Sequence, residues 1–183
     1  SGAEALTMGN KTSALEYFQK ALTMAESLGE EGAEVATNCK NAIPSVILSI
    51  GKEFYNNKDF TNAKAKFVEA AEVAKKYGNE EVTAEVEGLL PTVGKRIALA
   101  KVNEAMKNKD IAGVLAGYEE AMAIDTTDAN TALKYGQFLG NAGKYDDAVK
   151  YLELAARHGQ EGNAKSVLST TFLKNAAAQL KAG

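Results

Sequence analysis

Cys39 and His158 are the only cysteine and the only histidine in this 183-residue chain, and they are where a nucleophile–base search begins. A thiol becomes a nucleophile when a nearby base or positive dipole lowers its pKa. Cys39 carries no such signal and reads as a small buried apolar residue. His158 precedes Gly159 in a stretch that reads as a helix end, where an imidazole suits the dipole. Carboxylates cluster at Glu30, Glu31 and Glu34, and again at Glu80, Glu81, Glu85 and Glu87. Both clusters fall at helix starts, where negative charge complements the dipole. They read as partners of the helix dipole rather than as a cation site or an acid/base pair. Gly140-Asn141-Ala142-Gly143 reads as a turn between helices rather than a phosphate loop. No P-loop, dinucleotide fingerprint, zinc spacing or nucleophile elbow occurs. The reading is a protein that is not an enzyme, with no cofactor and no metal site.

Composition narrows the partners. Apolar residues make up 45% and charged residues 25%, ordinary for a folded chain. The net charge is -3, with Lys and Glu interspersed and no basic stripe for phosphates, so nucleic acid is not expected. No apolar run is long enough to span a membrane, so no membrane insertion is expected. One cysteine does not decide the compartment, and the localisation stays unknown. Ser1-Gly2 reads as a cloning remnant ahead of a repeat whose first helix is missing, which leaves room for a removed targeting segment. The Asn10-Lys11-Thr12 sequon is too common by chance to carry weight.

Recurrent helices must position any surface. A phrase of a small residue, a bulky apolar residue four on and Ala three further occurs four times. The copies are Ala14–Leu22, Ala63–Ala71, Val114–Met122 and Ala148–Ala156. From Ala14 to Ala63, Ala63 to Val114 and Val114 to Ala148 the intervals are 49, 51 and 34 residues. The last suits one compact helix pair. The first two call for longer helices or an extra turn. Asn10, Asp59 and Asp110 stand where N-caps belong, and the fourth copy has the poorer Gly143-Lys144. Gly29, Gly78 and Gly159 mark helix ends.

The preceding helix of each pair also has an apolar face: Ile47, Ile50, Gly51 and Phe54, then Ala98, Val102 and Ala105, then Ala132, Tyr135, Gly136 and Leu139. Gly51 and Gly136 inside helices imply close approach of a neighbour, with Phe67 and Leu152 as the candidates. Lys101 interrupts its face and implies a looser third pair. Pro44 and Pro91 either begin helices or kink longer ones, and long bent helices are favoured because no other loop signal surrounds them. Asn163 to Lys181 reads as a final helix, with Val167, Leu168, Thr171, Phe172 and Leu180 available to cover the end of a stack.

Tyr135 to Ala155 resembles the tetratricopeptide repeat through its bulky-Gly pair, the Gly before an aromatic and the spaced alanines. The second copy matches through Ile50-Gly51, Phe54-Tyr55, Phe60, Ala63, Phe67 and Ala70. The third departs at Val102 and Val114, the first keeps only its second helix, and the family's terminal proline is absent throughout. The resemblance covers most of residues 3–160. It implies an all-α, right-handed superhelical solenoid of antiparallel helix pairs, a single domain over 1–183. Its units would be about 3–29, 31–78, 80–124 and 128–159, with a capping helix at 163–181.

The family's first helices line a concave groove that binds an extended peptide or a partner helix. Carried over to matching positions, the groove would present Lys52, Tyr55 and Asn56, then Arg96, Asn103, Met106 and Lys107. Asn130, Gln137 and Asn141 would follow, with Thr171, Lys174 and Asn175 from the last helix and apolar contact from Leu48, Leu99 and Leu133. Leu48 and Leu99 stand where the family's carboxylate clamp would have its first lysine, so a chaperone tail is not the expected ligand. Asn and Gln can bond a peptide backbone, Lys and Arg a carboxylate, and Tyr and Met offer apolar area. The expected partner is another protein. The alternative is a structural spacer or a self-associating segment, since the helix around Ala14–Leu28 leaves an apolar face for residues 3–8, an upstream helix or a second copy.

Overall fold

A computed structural model describes residues 1–182, which are helical with no strand among them. The helices are α1 (Gly2–Thr7), α2 (Lys11–Ser27), α3 (Ala33–Asn56), α4 (Phe60–Tyr77), α5 (Glu80–Lys107), α6 (Ile111–Ile124), α7 (Ala129–Asn141), α8 (Tyr145–Ala155) and α9 (Glu161–Ala182). The chain divides into two compact units, Ser1–Gly94 and the residues from Lys95 onward, with the division inside α5.

Four turns share one construction. The residue before each cap takes a left-handed backbone: Gly9 (φ 76), Lys58 (φ 63), Lys109 (φ 54) and Gly143 (φ 78). The following amide then donates to a carbonyl five residues back: Asn10 to Ala5, Asp59 to Phe54, Asp110 to Ala105 and Lys144 to Leu139, at 2.8–2.9 Å. The Asn10, Asp59 and Asp110 side chains accept from the amides of Ser13, Asn62 and Gly113 at 3.0, 3.2 and 2.9 Å. Lys144 offers no side-chain cap to α8.

The longer sequence intervals lie in the first helices, since α3 has 24 residues and α5 has 28 against 13 in α7. Both helices run through their prolines, with Pro44 buried. In the first unit a Cβ on Gly51 would lie 2.7 Å from the Phe67 ring. Gly2 of α1 sits likewise under the Phe18 ring, so residues 2–7 supply a short first helix for the first pair. The rest of this core is mostly aliphatic, including Leu22, Ile43, Val46, Ile47 and Leu48.

In the second unit a Cβ on Gly136 would lie 2.7 Å from Leu152 Cγ. The α5–α6 pair reverses the arrangement. Val102 stands where Gly51 and Gly136 stand in their pairs, and Gly117 of α6 makes the room, its Cβ position 2.6 Å from Val102 Cγ2. Lys101 does not interrupt the packing as its sequence position implied: it is exposed and its Nζ pairs with Glu120 Oε2 at 2.7 Å. The core continues through tyrosines, Tyr118 stacked on Tyr135 at 5.2 Å and Tyr135 tilted against Tyr151 at 4.4 Å between ring centroids.

The final helix departs from expectation. It packs through Ala164, Val167, Leu168 and Thr171, while Phe172 and Leu180 face outward and cover nothing. The reason is angular: at about 100° per residue, Phe172 is turned about 100° away from buried Thr171 and Leu180 about 180°.

Candidate protein-binding surface

In the first unit, Lys52, Tyr55 and Asn56 occupy the last turns of α3. Lys52 and Asn56 are exposed and Tyr55 is half-buried, its ring edge-on to Phe60 at 5.3 Å. Lys52 Nζ is paired with Glu85 Oε1 at 2.5 Å, so its charge is already matched. Leu48, expected to give the surface apolar contact, is buried in the core instead. Long α3 is packed on more than one face, and a sequence pattern read as one stripe does not show the second.

In the second unit, Arg96, Asn103, Met106 and Lys107 are exposed along the last part of α5, and Leu99 is half-buried. On α7, Asn130, Leu133, Gln137 and Asn141 recur at three- and four-residue steps and so share one face. Asn130 and the two residues at the other end are exposed and Leu133 is half-buried. Asn130 Oδ1 accepts from Gln160 Nε2 at 2.7 Å, and Asn141 Oδ1 accepts from Lys174 Nζ at 2.6 Å.

The structure brings four of the expected residues to one place. Gln137, Asn141, Thr171 and Lys174 line a cleft of about 260 Å³ between α7 and α9, together with Ser166, Val167 and Thr170. Thr171 is buried and its hydroxyl donates to the Val167 carbonyl at 2.8 Å. Ser166 and Thr170 were not singled out from the sequence. Their signal was the spacing of four that aligns Ser166, Thr170 and Lys174 on one helix face. The cleft therefore offers two side-chain amides, the Ser166 hydroxyl and one ammonium, while the Thr170 hydroxyl donates to the Ser166 carbonyl at 3.2 Å. That set can bond a peptide backbone or carboxylate.

Asp128 fixes the start of α7. Its Oδ1 accepts from the amides of Asn130 and Thr131 at 3.1 and 3.2 Å, and its Oδ2 from the Thr131 hydroxyl at 2.8 Å. Lys95 Nζ lies 3.0 Å from both Asp125 Oδ2 and Asp128 Oδ2. Burial pushes the Asp128 carboxyl up, but the hydrogen bonds from Thr131 and Lys95 outweigh it and hold it below the usual carboxylate range. Burial likewise works against the Lys95 ammonium, and the two aspartates outweigh it, leaving Lys95 above the ordinary lysine value. Further along α7, the Tyr135 hydroxyl donates to Glu119 Oε1 at 3.1 Å. Burial first, and the Glu119 carboxylate second, push that phenol well above its ordinary range.

Cys39 is buried, and burial pushes its thiol up, away from the thiolate a nucleophile needs. His158 is exposed in the Ala156–Gln160 turn, where Gly159 takes φ 104. Among the described residues no three His, Cys, Asp or Glu side chains are grouped as a metal would require. No described helix is long and apolar enough to cross a membrane.

These features define an all-α protein of adjacent, tetratricopeptide-like helix pairs. No family model matches the chain, and no curated protein does. Among solved structures it is similar to the C-terminal tetratricopeptide-containing domain of a Plasmodium falciparum protein described as FK506-binding. The TM-score is 0.46 at 18% identity, over 78% of this chain and 95% of that one.

Proposed function

We propose that this chain is a protein-binding module that holds an extended peptide or a helix of a partner protein. Helix-pair repeats leave one face of alternate helices free for such contact. The observation that carries the reading is the α7–α9 cleft, where amides, the Ser166 hydroxyl and the Lys174 ammonium converge beside half-buried Val167. Amides satisfy a peptide backbone without demanding a sequence, and Lys174 favours a carboxylate nearby. In the same reading Arg96, Asn103, Met106, Lys107, Asn130 and Leu133 extend the contact surface of the second unit. Lys52, Tyr55 and Asn56 provide one on the first, with Tyr55 and Met106 as apolar anchors.

The test is comparative capture from the native organism's lysate. Wild type is compared with Gln137→Ala/Asn141→Ala/Thr170→Ala and, separately, with Tyr55→Ala/Met106→Ala, all checked for equal helicity. A protein held by wild type and lost by the first variant, then confirmed by titration with about tenfold or greater weakening, supports the cleft. Loss with the second variant alone moves the contact to Tyr55 or Met106. Equal capture by all three removes the reading.

A further inference from the structure

Two exposed apolar faces, one on α9 continuing the stripe of Ser166 and Thr170 and one on α2, carry opposite charges. On α9, Leu173, Ala177 and Leu180 follow steps of four and three, the spacing of a helix–helix seam. Phe172 flanks them. Phe172, Leu173 and Leu180 are 55, 70 and 85% exposed. Helix α9 carries three lysines (165, 174 and 181) and one acidic residue, Glu161, which pairs with Lys165 at 2.6 Å, so the positive charge concentrates at Lys174 and Lys181. A helix that merely closed a stack would present a polar outer face.

On α2, Tyr17, Ala21, Met24 and Leu28 follow steps of four, three and four, and Val35 of α3 stands just beyond the turn. Met24, Leu28 and Val35 are 68, 59 and 49% exposed. From Ala21 to Cys39 there are four glutamates (26, 30, 31 and 34) and no Lys or Arg. Glu26 is paired with Lys40 at 3.0 Å, and Lys20 sits beside the Tyr17 end, so the negative charge concentrates around Leu28 and Val35.

We propose that α9 of one molecule docks on the α2–α3 face of a second copy. The two seams have the same spacing, so apolar side chains can interdigitate, while lysines on one side meet glutamates on the other. The contacting patches differ, so the contact is heterologous and each molecule keeps one free face of each kind. Assembly therefore proceeds head to tail rather than stopping at a symmetric dimer. Opposite rims also set the direction, because two α9 faces repel and so do two α2–α3 faces.

Sedimentation velocity tests this with charge swaps. One variant is Lys165→Glu/Lys181→Glu, leaving Lys174 of the cleft unchanged. The other is Glu31→Lys/Glu34→Lys. Wild type is expected to gain mass with protein concentration and to lose that gain in high salt. Each variant alone should associate about tenfold more weakly or worse. An equimolar mixture of the two, or all four changes in one chain, should restore association. Leu173→Ser/Leu180→Ser should abolish it without loss of helicity. Wild type that stays monomeric at low salt overturns the proposal. So does a pair of variants that associate like wild type, or a mixture that fails to recover. Gln137→Ala/Asn141→Ala, both on α7 and away from the α9 seam, should leave self-association unchanged, so this result and that for the cleft are read separately.

Discussion

The α3–α4 and α5–α6 pairs make the same close approach with the glycine on opposite helices. In the first, Gly51 of the leading helix lies under Phe67. In the second, Val102 holds the leading position and Gly117 of the following helix clears the space. The backbone separation is thus a property of the pair, and either partner can provide the missing side chain. The surroundings differ too. The atoms nearest a Cβ on Gly51 are the Phe67 ring and Lys66 Cβ, all side chain. A Cβ on Gly117 would also meet the Ala98 carbonyl oxygen and the Val102 amide nitrogen, both at 3.2 Å.

That difference predicts the largest effects. Gly51→Ala and Gly117→Ala should each destabilise by about 2–3 kcal/mol, because the obstructing groups are buried and cannot swing away. Shrinking the obstacle should help the two pairs unequally. Phe67→Leu should recover most of the Gly51→Ala loss, since only side chains obstruct it. Val102→Ala should recover only part of the Gly117→Ala loss, because backbone atoms remain. Double-mutant cycles by urea unfolding measure both couplings. A Gly117→Ala loss under about 0.5 kcal/mol would break the equivalence of the two glycines.

The links into α5 and α7 differ in charge. Asn79 holds the start of α5 with neutral bonds: its Oδ1 accepts from the Val82 amide at 3.1 Å and its Nδ2 donates to the Asn41 carbonyl at 3.3 Å. Asp128 does the equivalent for α7 with a carboxylate tied to Lys95. Near neutral pH, Asp128→Ala should cost about 2 kcal/mol and Asn79→Ala about 1 kcal/mol. The pH profiles should separate them further. The folded Asp128 pKa is lowered, so its contribution is present above the unfolded value of about 3.9 and is lost as pH falls through the folded value. The folded Lys95 pKa is raised, so its contribution is present below about 10.4 and is lost as pH rises through the folded value. Thermal melts followed by circular dichroism should show the Asp128→Ala deficit shrinking at the acid end. The Asn79→Ala deficit should stay flat, and a flat profile for both would remove charge from the account.

The sequence carried the local rules better than the pairwise ones. Asn10, Asp59 and Asp110 were legible as caps because capping depends on a residue and the amide three positions on. Gly51 opposite Phe67 and Gly136 opposite Leu152 were legible because Gly in a helix interior is costly unless something approaches closely. The role of Gly117 was not, since a pattern read position by position finds Val102 in the wrong place and has no rule for a substitute on the other helix. Leu48 was misplaced because α3 is apolar on more than one side. The cleft was half legible: Gln137, Asn141, Thr171 and Lys174 followed from the repeat resemblance. Ser166 and Thr170 had no apolar contrast to draw attention to their shared face.

The smallest predicted effects come from comparing the four turns. Gly9 and Gly143 take a positive φ with no Cβ to strain, whereas Lys58 and Lys109 take it with a full side chain. A left-handed conformation costs an L-residue about 1–2 kcal/mol, partly offset by the greater chain entropy that glycine loses on folding. Lys58→Gly and Lys109→Gly should therefore each stabilise by about 0.5 kcal/mol, and Gly9→Lys should destabilise by a similar amount. Both directions matter. If glycine helps at 58 and 109 but lysine at 9 is neutral, the turn after α1 is too loosely held to enforce its backbone angle. Equal and opposite changes would instead show that short α1 supports its turn as firmly as the long leading helices support theirs.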